Sequence, residues 1–416
     1  MLSDEVWGTI EMAKVHVIGA GMGDGLISEK ALELIKKADV LVGGERLLSR
    51  FPHSKGRRLT IKGPLKDMLQ EIRRFVEQGE RVVVLADGDP LFFGIGRHLL
   101  KVFEAHELEF YPNVTALQAA AAAIGLPWDR VKTVSIHGRT DMWPVLRAIT
   151  FHDFVGVYTG GEDGPRLIAG LLKSRGADAF QMVVFENLGY EDQRIRQFEI
   201  SEVGNQTFSA LNFVLLKRMK PPPVKLRIGI EDEEYLHERG LITKKEVRAV
   251  AIARLGILES HTVWDLGAGC GSVAIEAACL AREGKVFAVE AQEGRVGMIR
   301  ENIRRTGAFH VEGVHGVMPE CLDSLPDPDK VFVGGGLIRD GGIILGKAAE
   351  RLKPGGSMVV HTVLMSSLGN CLSLFQKLGW GHHMVQVQVS RSAPLSGSLR
   401  LEALNPVFVI TGQKPL

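Results

Sequence analysis

Short contiguous apolar runs that stop at glycine and give way to helix-spaced residues constrain this chain more than any other feature. KVHVIGAG, RVVVLADG and TVWDLGAG are rich in β-branched residues and show little polar alternation, the pattern of strands covered on both faces. SEKALELIKKA, TALQAAAAAIG, TKKEVRAVAIARL and GRVGMIRENIRRTGA lie between such runs and carry helical periodicity. Gly125 and Pro127 close the alanine-rich member. Strands and helices alternating in this way predict an α/β architecture on mostly parallel sheets.

The alternation runs through the chain twice, and KRMKPPPVKLRIG separates the two passes. Proline lacks an amide donor and pushes the preceding residue toward extended geometry, so Pro221–Pro223 continue neither a helix nor a central strand. At 416 residues the chain is also too long for one ordinary core. The expected organisation is an N-terminal extension (1–13), a first domain (14–220), a Pro-rich linker (221–224) and a second domain (225–416). The linker is expected to be a stiff spacer that keeps two sites near each other without forcing their cores together.

Hydrophobic residues make up 45% and charged residues 24%, which argues against disorder. A formal net charge of +1 gives no reason to expect nucleic acid or an anionic membrane as partner. Cys270, Cys279, Cys321 and Cys371 show no CxxC spacing and read as reduced thiols, so neither disulfides nor a metal site is expected. No run is long and apolar enough to span a bilayer, and MLSDEVWGTIEM is too acidic and polar for a signal peptide; the expected location is cytoplasmic.

The most informative loop is Asp265-Leu266-Gly267-Ala268-Gly269-Cys270-Gly271, which follows a strand and opens a helix. Gly267 permits a tight turn, Gly269 lets the backbone approach a ligand, and the amides at the helix start can face an anionic group. Glu290, at the end of the next strand, is placed to accept both hydroxyls of a ribose. A dinucleotide fingerprint would put its third glycine one position later, where Ser272 stands. Asp265 before the loop suits a ligand with an α-ammonium, so S-adenosylmethionine is favoured over a dinucleotide or a merely structural turn. In the first half, LADGDPLFFGIG places Asp87, Gly88, Asp89 and Pro90 at a strand end. Taken alone, Asp89 there reads more readily as a helix cap than as a ligand contact. PNVTALQ, with Thr115, is another turn into a helix.

Several segments together resemble the tetrapyrrole methylase family: VIGAGMGDG, ADVLVGGERLL, DGDPLFFGIG, PNVTALQAAAAAIGLPWD and VSIHGR. Beyond the prolines, TKKEVRAVAIARL, VWDLGAGCGSVAIEAA, PDKVFVGGG, LKPGG and LNPVFVITG resemble the decarboxylating precorrin methyltransferases. The resemblance covers nearly the whole chain from about Lys14. It implies a tetrapyrrole methylase fold of two α/β subdomains followed by a Rossmann-like class I methyltransferase domain. It also implies two S-adenosylmethionine sites, with S-adenosylhomocysteine as product. By that resemblance Gly88, Asp89, Thr115 and Ala116 form the first site. Thr243, Gly267, Ala268, Gly269, Cys270, Gly271 and Glu290 form the second. Three departures stand out. Met22 replaces a usual proline, and Asp87 replaces a commoner serine. Val317 and Met318 stand where an aspartate and a small residue are usual, so an adenine contact at Met318 falls to the backbone or is lost.

The implied function is methylation of a precorrin-6B-type macrocycle at carbon-5 and carbon-15, with decarboxylation of the carbon-12 acetate, in cobalamin biosynthesis. Methyl transfer to an enamine-like carbon needs alignment and exclusion of water more than a catalytic triad. Decarboxylation gains from a general acid, and His137 and His361, at or just beyond strand ends, are the candidates. A polycarboxylate substrate calls for arginine clamps: Arg391 and Arg400 in the second half, Arg46 and Arg139 in the first. EDEEYLHERG (231–240) reads as a solvated helical face. Relatives of both halves associate, so a homo-oligomer is expected. Two other readings stay open: a methyltransferase of the same fold acting on RNA or protein, and a noncatalytic tetrapyrrole carrier.

Overall fold

The computed structural model describes residues 15–23, 27–62, 64–138, 141–335 and 337–416, the side chains of 337–341 excepted. The expected extension at 1–13 and the candidate clamp Arg139 lie outside the described residues. The first sheet contains β1 (Val15–Gly19), β2 (Val40–Gly43), β3 (Arg57–Thr60), β4 (Val82–Ala86) and β5 (Leu108–Tyr111), in the order β3-β2-β4-β1-β5. All its pairings are parallel. Its strands are continuously apolar because both faces are covered. Val82 and Val84 join one buried cluster with Ile72 and Phe75, while Val83 and Leu85 join another with Ala31 and Ile35.

The second sheet contains β6 (Lys132–Ser135), β7 (Phe154–Tyr158), β8 (Phe180–Glu186), β9 (Arg194–Glu199) and β10 (Asn212–Arg218), ordered β6-β7-β10-β8-β9. Only β6 and β7 pair in parallel; β10 is antiparallel to both neighbours. That sheet is more antiparallel than the run of apolar strands predicts, because apolar content reports burial on both faces and not strand direction.

The third sheet contains β11 (Thr262–Leu266), β12 (Lys285–Glu290), β13 (Val311–His315), β14 (Lys330–Val333), β15 (Ser357–Thr362), β16 (Gly381–Val387) and, after a two-stranded hairpin of β17 (Ser390–Leu395) and β18 (Ser398–Ala403), β19 (Val407–Gln413). The order β13-β12-β11-β14-β15-β19-β16 is parallel through β15, with β19 antiparallel to both neighbours. The α/β class expected from sequence is the class observed. Among the described residues, no helix is long and apolar enough to cross a membrane.

The prolines do not hold two cores apart. Val224 N–H donates to the Arg305 carbonyl over 3.0 Å, and a side chain at Gly307 would meet Pro222. One apolar cluster runs from Val145, Ile149 and Phe180 of the first half into Ala278, Phe309 and Val311 of the second. Trp143 packs 5.5 Å from Phe287, and the buried His310 stands 3.1 Å from Thr150 Oγ1. The expectation of a spacer between separate cores is therefore overturned. Apolar surface on the two halves is better covered by joining than by water.

Candidate functional site

In the first half, the loops after β1 and β4 meet at the carboxyl ends of their strands. Gly21 and Gly88 form a backbone bridge, and Gly88 adopts φ of +58°, which a side chain would strain. A Cβ at Gly19 would lie 2.4 Å from the Gly88 carbonyl, so the approach itself requires glycine. Asp89 Oδ1 accepts the Leu91 N–H over 2.8 Å. Thr115 and Gln118 cap the helix Ala116–Ile124 reciprocally. The cap reading holds for Thr115, whereas Asp89 closes a turn and the next helix, Gly96–Leu99, begins after Ile95; both residues also line a cleft of about 540 Å³ with Leu91, Phe92 and Trp128. That volume suits a small-molecule site.

Tyr158, at the end of β7, was not foreseen from sequence. Its hydroxyl accepts the Leu117 N–H over 3.1 Å, and its ring meets Phe92, Phe93 and Phe213 at 5.0–5.8 Å. Burial pushes its ionisation upward, so the hydroxyl stays protonated. Phe93 has φ of +55°, an outlier for a bulky residue that places strain beside the cleft. Arg46 bonds Asp87 and Tyr190, so the extra charge at Asp87 already has a counter-ion. His137 is exposed, with Nδ1 3.1 Å from the Thr159 carbonyl.

In the second half, the glycine loop leaves β11 at its carboxyl end. Gly267 N–H and Ala268 N–H both donate to the Val289 carbonyl, and Gly267 packs against the Gly335 backbone at φ of +69°. Gly269 has nothing within 4 Å of where a Cβ would stand, so its approach is open to a ligand. Glu290 accepts Gly269 N–H (2.9 Å) and Gln292 N–H (3.0 Å), one on each oxygen. The side chain of Asp265 is buried; its Oδ2 accepts Ala274 N–H over 2.9 Å, while Oδ1 has no partner. Burial, aided by the nearby Glu290 charge, raises this carboxyl to about 7.

The segment 231–240 is not a solvated helical face. Asp232 and Tyr235 are each only 3% exposed. Arg248, fully buried, joins Asp232 (3.2 Å), Glu276 (2.6 Å) and the Thr243 carbonyl (2.5 Å). Glu276 in turn accepts Gly229 N–H and Ile230 N–H. Asn302 ties the same strap to the glycine loop: its side chain exchanges hydrogen bonds with the Leu236 backbone at 2.8 Å and donates to the Cys270 carbonyl at 2.9 Å. A lone asparagine among the buried Val296, Ile299 and Ile303 of its helix was the legible signal, because buried amides need partners.

Other expected residues are distributed unevenly. Thr243 precedes the helix Lys245–Leu255, and its carbonyl accepts from Arg248, which also binds Glu276 in the helix after the glycine loop. Met318 packs at the edge of the third sheet's core, and Val317 beside it is exposed. His361 is the penultimate residue of β15, 4.7 Å from Phe332 in an edge-on contact, with Nε2 unpartnered. Burial lowers it to about 4, so it is neutral near pH 7. Arg391 is corrected as a free clamp: it is engaged by Glu246 (2.7 Å) and Asp232 (3.0 Å). Arg400 is exposed on the β17–β18 hairpin, 3.7 Å from Glu402.

Residues 14–204 match the family described as tetrapyrrole (corrin/porphyrin) methylases, and residues 233–414 match a precorrin methyltransferase domain. Over its length the chain is similar to a precorrin-6Y C(5,15)-methyltransferase [decarboxylating] from Sinorhizobium, 30% identical over 94% of both chains. It is 37% identical to a cobalt-precorrin-7 C(5)-methyltransferase of Salmonella typhimurium, over 45% of this chain and 91% of that one. A probable cobalt-precorrin-6B C(15)-methyltransferase (decarboxylating) of Sulfolobus acidocaldarius is 31% identical over 45% of this chain and 97% of that one.

Proposed function

Because the chain belongs to the family of decarboxylating precorrin-6Y C5,15-methyltransferases, we propose that its two halves divide one family task between two cofactor sites. The chain is an S-adenosylmethionine-dependent methyltransferase of cobalamin biosynthesis that acts on a tetrapyrrole precursor. In the finer reading, the first half methylates carbon-5, and the second methylates carbon-15 and removes the carbon-12 carboxyl. Two half-length relatives with these separate activities support the division.

The observation that carries the second site is Asp265, a buried carboxylate with one oxygen unpartnered beside an open glycine loop. An unpaired buried acceptor is costly, and an α-ammonium group would satisfy it. Glu290 keeps acceptor capacity on each oxygen after its two backbone contacts and would hold the ribose. In the first half Gly88, Asp89, Thr115 and Ala116 would border the cofactor in the cleft. The bound cofactor supplies an electrophilic methyl group on a sulfonium whose thioether leaves uncharged.

The remaining work falls to this chain's residues. Phe92 and Trp128 give the first cleft an apolar wall that aligns a flat macrocycle and thins the water around it. Arg46 would meet a substrate carboxylate in exchange for Asp87, and Arg400 is the exposed candidate in the second half. Arg139 is retained as a candidate from sequence. His361, held neutral, can offer a proton only from its neutral ring N–H, and His137 is the solvent-facing alternative. Titration calorimetry on the full chain tests the reading: two cofactor equivalents are expected, and one or none contradicts it. Product mass should show two added methyl groups and one lost carbon dioxide.

A further inference from the structure

The contacts that join the two halves gather at one end of the third sheet. Arg147 donates to the Glu283 carbonyl (2.8 Å), Arg175 to the Glu312 carboxylate (2.9 Å), and Asp141 lies 3.8 Å from Lys285. Phe180 packs 6.2 Å from Phe309. Lys285 and Val311 are the first residues of β12 and β13. The Gly267–Gly271 loop and Glu290 stand at the other ends of the strands. The six residues of β12 put about 17 Å of strand between docking end and ligand end.

The first half is arranged in the same sense. Its docked residues Phe151, Arg175 and Phe180 precede or begin β7 and β8. Tyr158 and Glu186 finish those strands on the side of Leu117 and the cleft. The seven residues of β8 add about 20 Å. Between the halves lies a cavity of about 240 Å³, bordered by Lys132, Arg147, His152, Glu259, Arg282 and Glu283. This is less than half the 540 Å³ of the first cleft and below the usual range for a ligand-sized site, about 300–1,000 Å³. Among the described residues, this cavity is too small to pass a macrocycle.

The halves are therefore docked back to back. From this we infer that the tetrapyrrole intermediate leaves the chain after one half-reaction and is captured from solution by the other site. The inference rests on the two-site reading given above. Fusion then supplies a shared core and equal amounts of both activities, and no tethering gain, because a link helps only where geometry lets both sites engage the same ligand. Each half must recognise the partly processed macrocycle by itself.

Two full-length variants provide the test: Asp89→Ala in the first site and Glu290→Ala in the second, with Thr115→Ala and Gly269→Ala if either fails to fold. Each variant should lose one half-reaction and keep the other when given that half's own substrate, which checks the two-site reading. Wild-type chain is then given isotopically labelled substrate together with a pool of the unlabelled half-product. Label in the early final product should fall in proportion to the pool, and the lag before final product should shorten as enzyme concentration rises. Undiluted label without a lag, while the variants still separate the half-reactions, overturns the inference and leaves the two-site reading standing. Loss of both half-reactions in one variant with native circular dichroism, each assayed on its own substrate, overturns both.

Discussion

Arg248 Nε–H donates to Glu276 Oε1 over 2.6 Å, and neither side chain retains exposed surface. The pair links the helix after the glycine loop to the strap at 229–243. It is thus part of the frame that holds the glycine loop without being part of the loop itself. Removing one member leaves the other charged and buried, at a cost of about 3–5 kcal/mol. Arg248→Met should lower stability by that amount in denaturant unfolding, and the double variant Arg248→Met/Glu276→Leu should recover much of the loss. Equal losses in single and double variants would mean that the ion pair is not the stabilising unit.

Asp265 should make cofactor binding depend on pH. Its carboxyl is raised to about 7 by burial, above the ordinary carboxylate value, so the folded protein holds this proton more tightly than the unfolded chain. That contribution to stability is complete below about pH 4 and is lost as pH rises through 7. A cationic ligand group favours the ionised form, so affinity at the second site should rise up to about pH 7 and then level off. Calorimetry should record proton release on binding near pH 6. Asp265→Asn should bind more weakly and lose that pH dependence.

Asn302 joins Leu236 and Cys270 through its amide oxygen and both amide hydrogens. Asn302→Leu keeps the volume and strands three backbone groups, a loss of about 1–3 kcal/mol for each group left unsatisfied. Because one of them belongs to the glycine loop, the Michaelis constant for the cofactor at the second site should rise more than turnover falls. The first half-reaction should keep its own constants.

His310 tests the joint between the halves. It is buried with its ring nitrogens near Thr150 Oγ1 and the Ala278 carbonyl, and burial lowers it to about 4. The depressed value means that its contribution is present above about pH 6.5 and is lost as pH falls toward 4. Hydrogen exchange at Phe309, Val311 and Ile149 should therefore accelerate over that interval. His310→Gln should shift or remove the acid limb.

His361 gives a kinetic prediction. Since burial keeps it neutral, decarboxylation should show no inflection near the ordinary histidine value. If its N–H carries the proton, His361→Phe should slow decarboxylation by roughly 10²-fold, the low end for general acid catalysis, with carbon-15 methylation less affected. Equal slowing of both steps would assign His361 to packing against Phe332.

Much was legible in the residues themselves. Contiguous apolar runs ending in glycine place β1, β4 and β11, and the spacing from Asp265 through Gly271 marks a positive-φ turn from strand into helix, because strand burial and positive-φ turns are local demands met by local sequence. The antiparallel pairing of β10 was not legible, since alternate faces look the same in either direction. Nor was the burial of Asp232, which sits in a run of charges and is claimed by Arg248 and Arg391 from 16 and 159 residues away. Arg391 illustrates the same limit: an arginine in a loop-like stretch reads as a free clamp until the fold brings Glu246 to it. The prolines at 221–223 suggested two separate cores, but the packing of Trp143 on Phe287 and Phe180 on Phe309 decided that the two halves share one. Local chemistry sets turns, strands and ligand loops. Which charges pair, and which way two sites face, depends on partners distant in sequence that only the tertiary structure brings together.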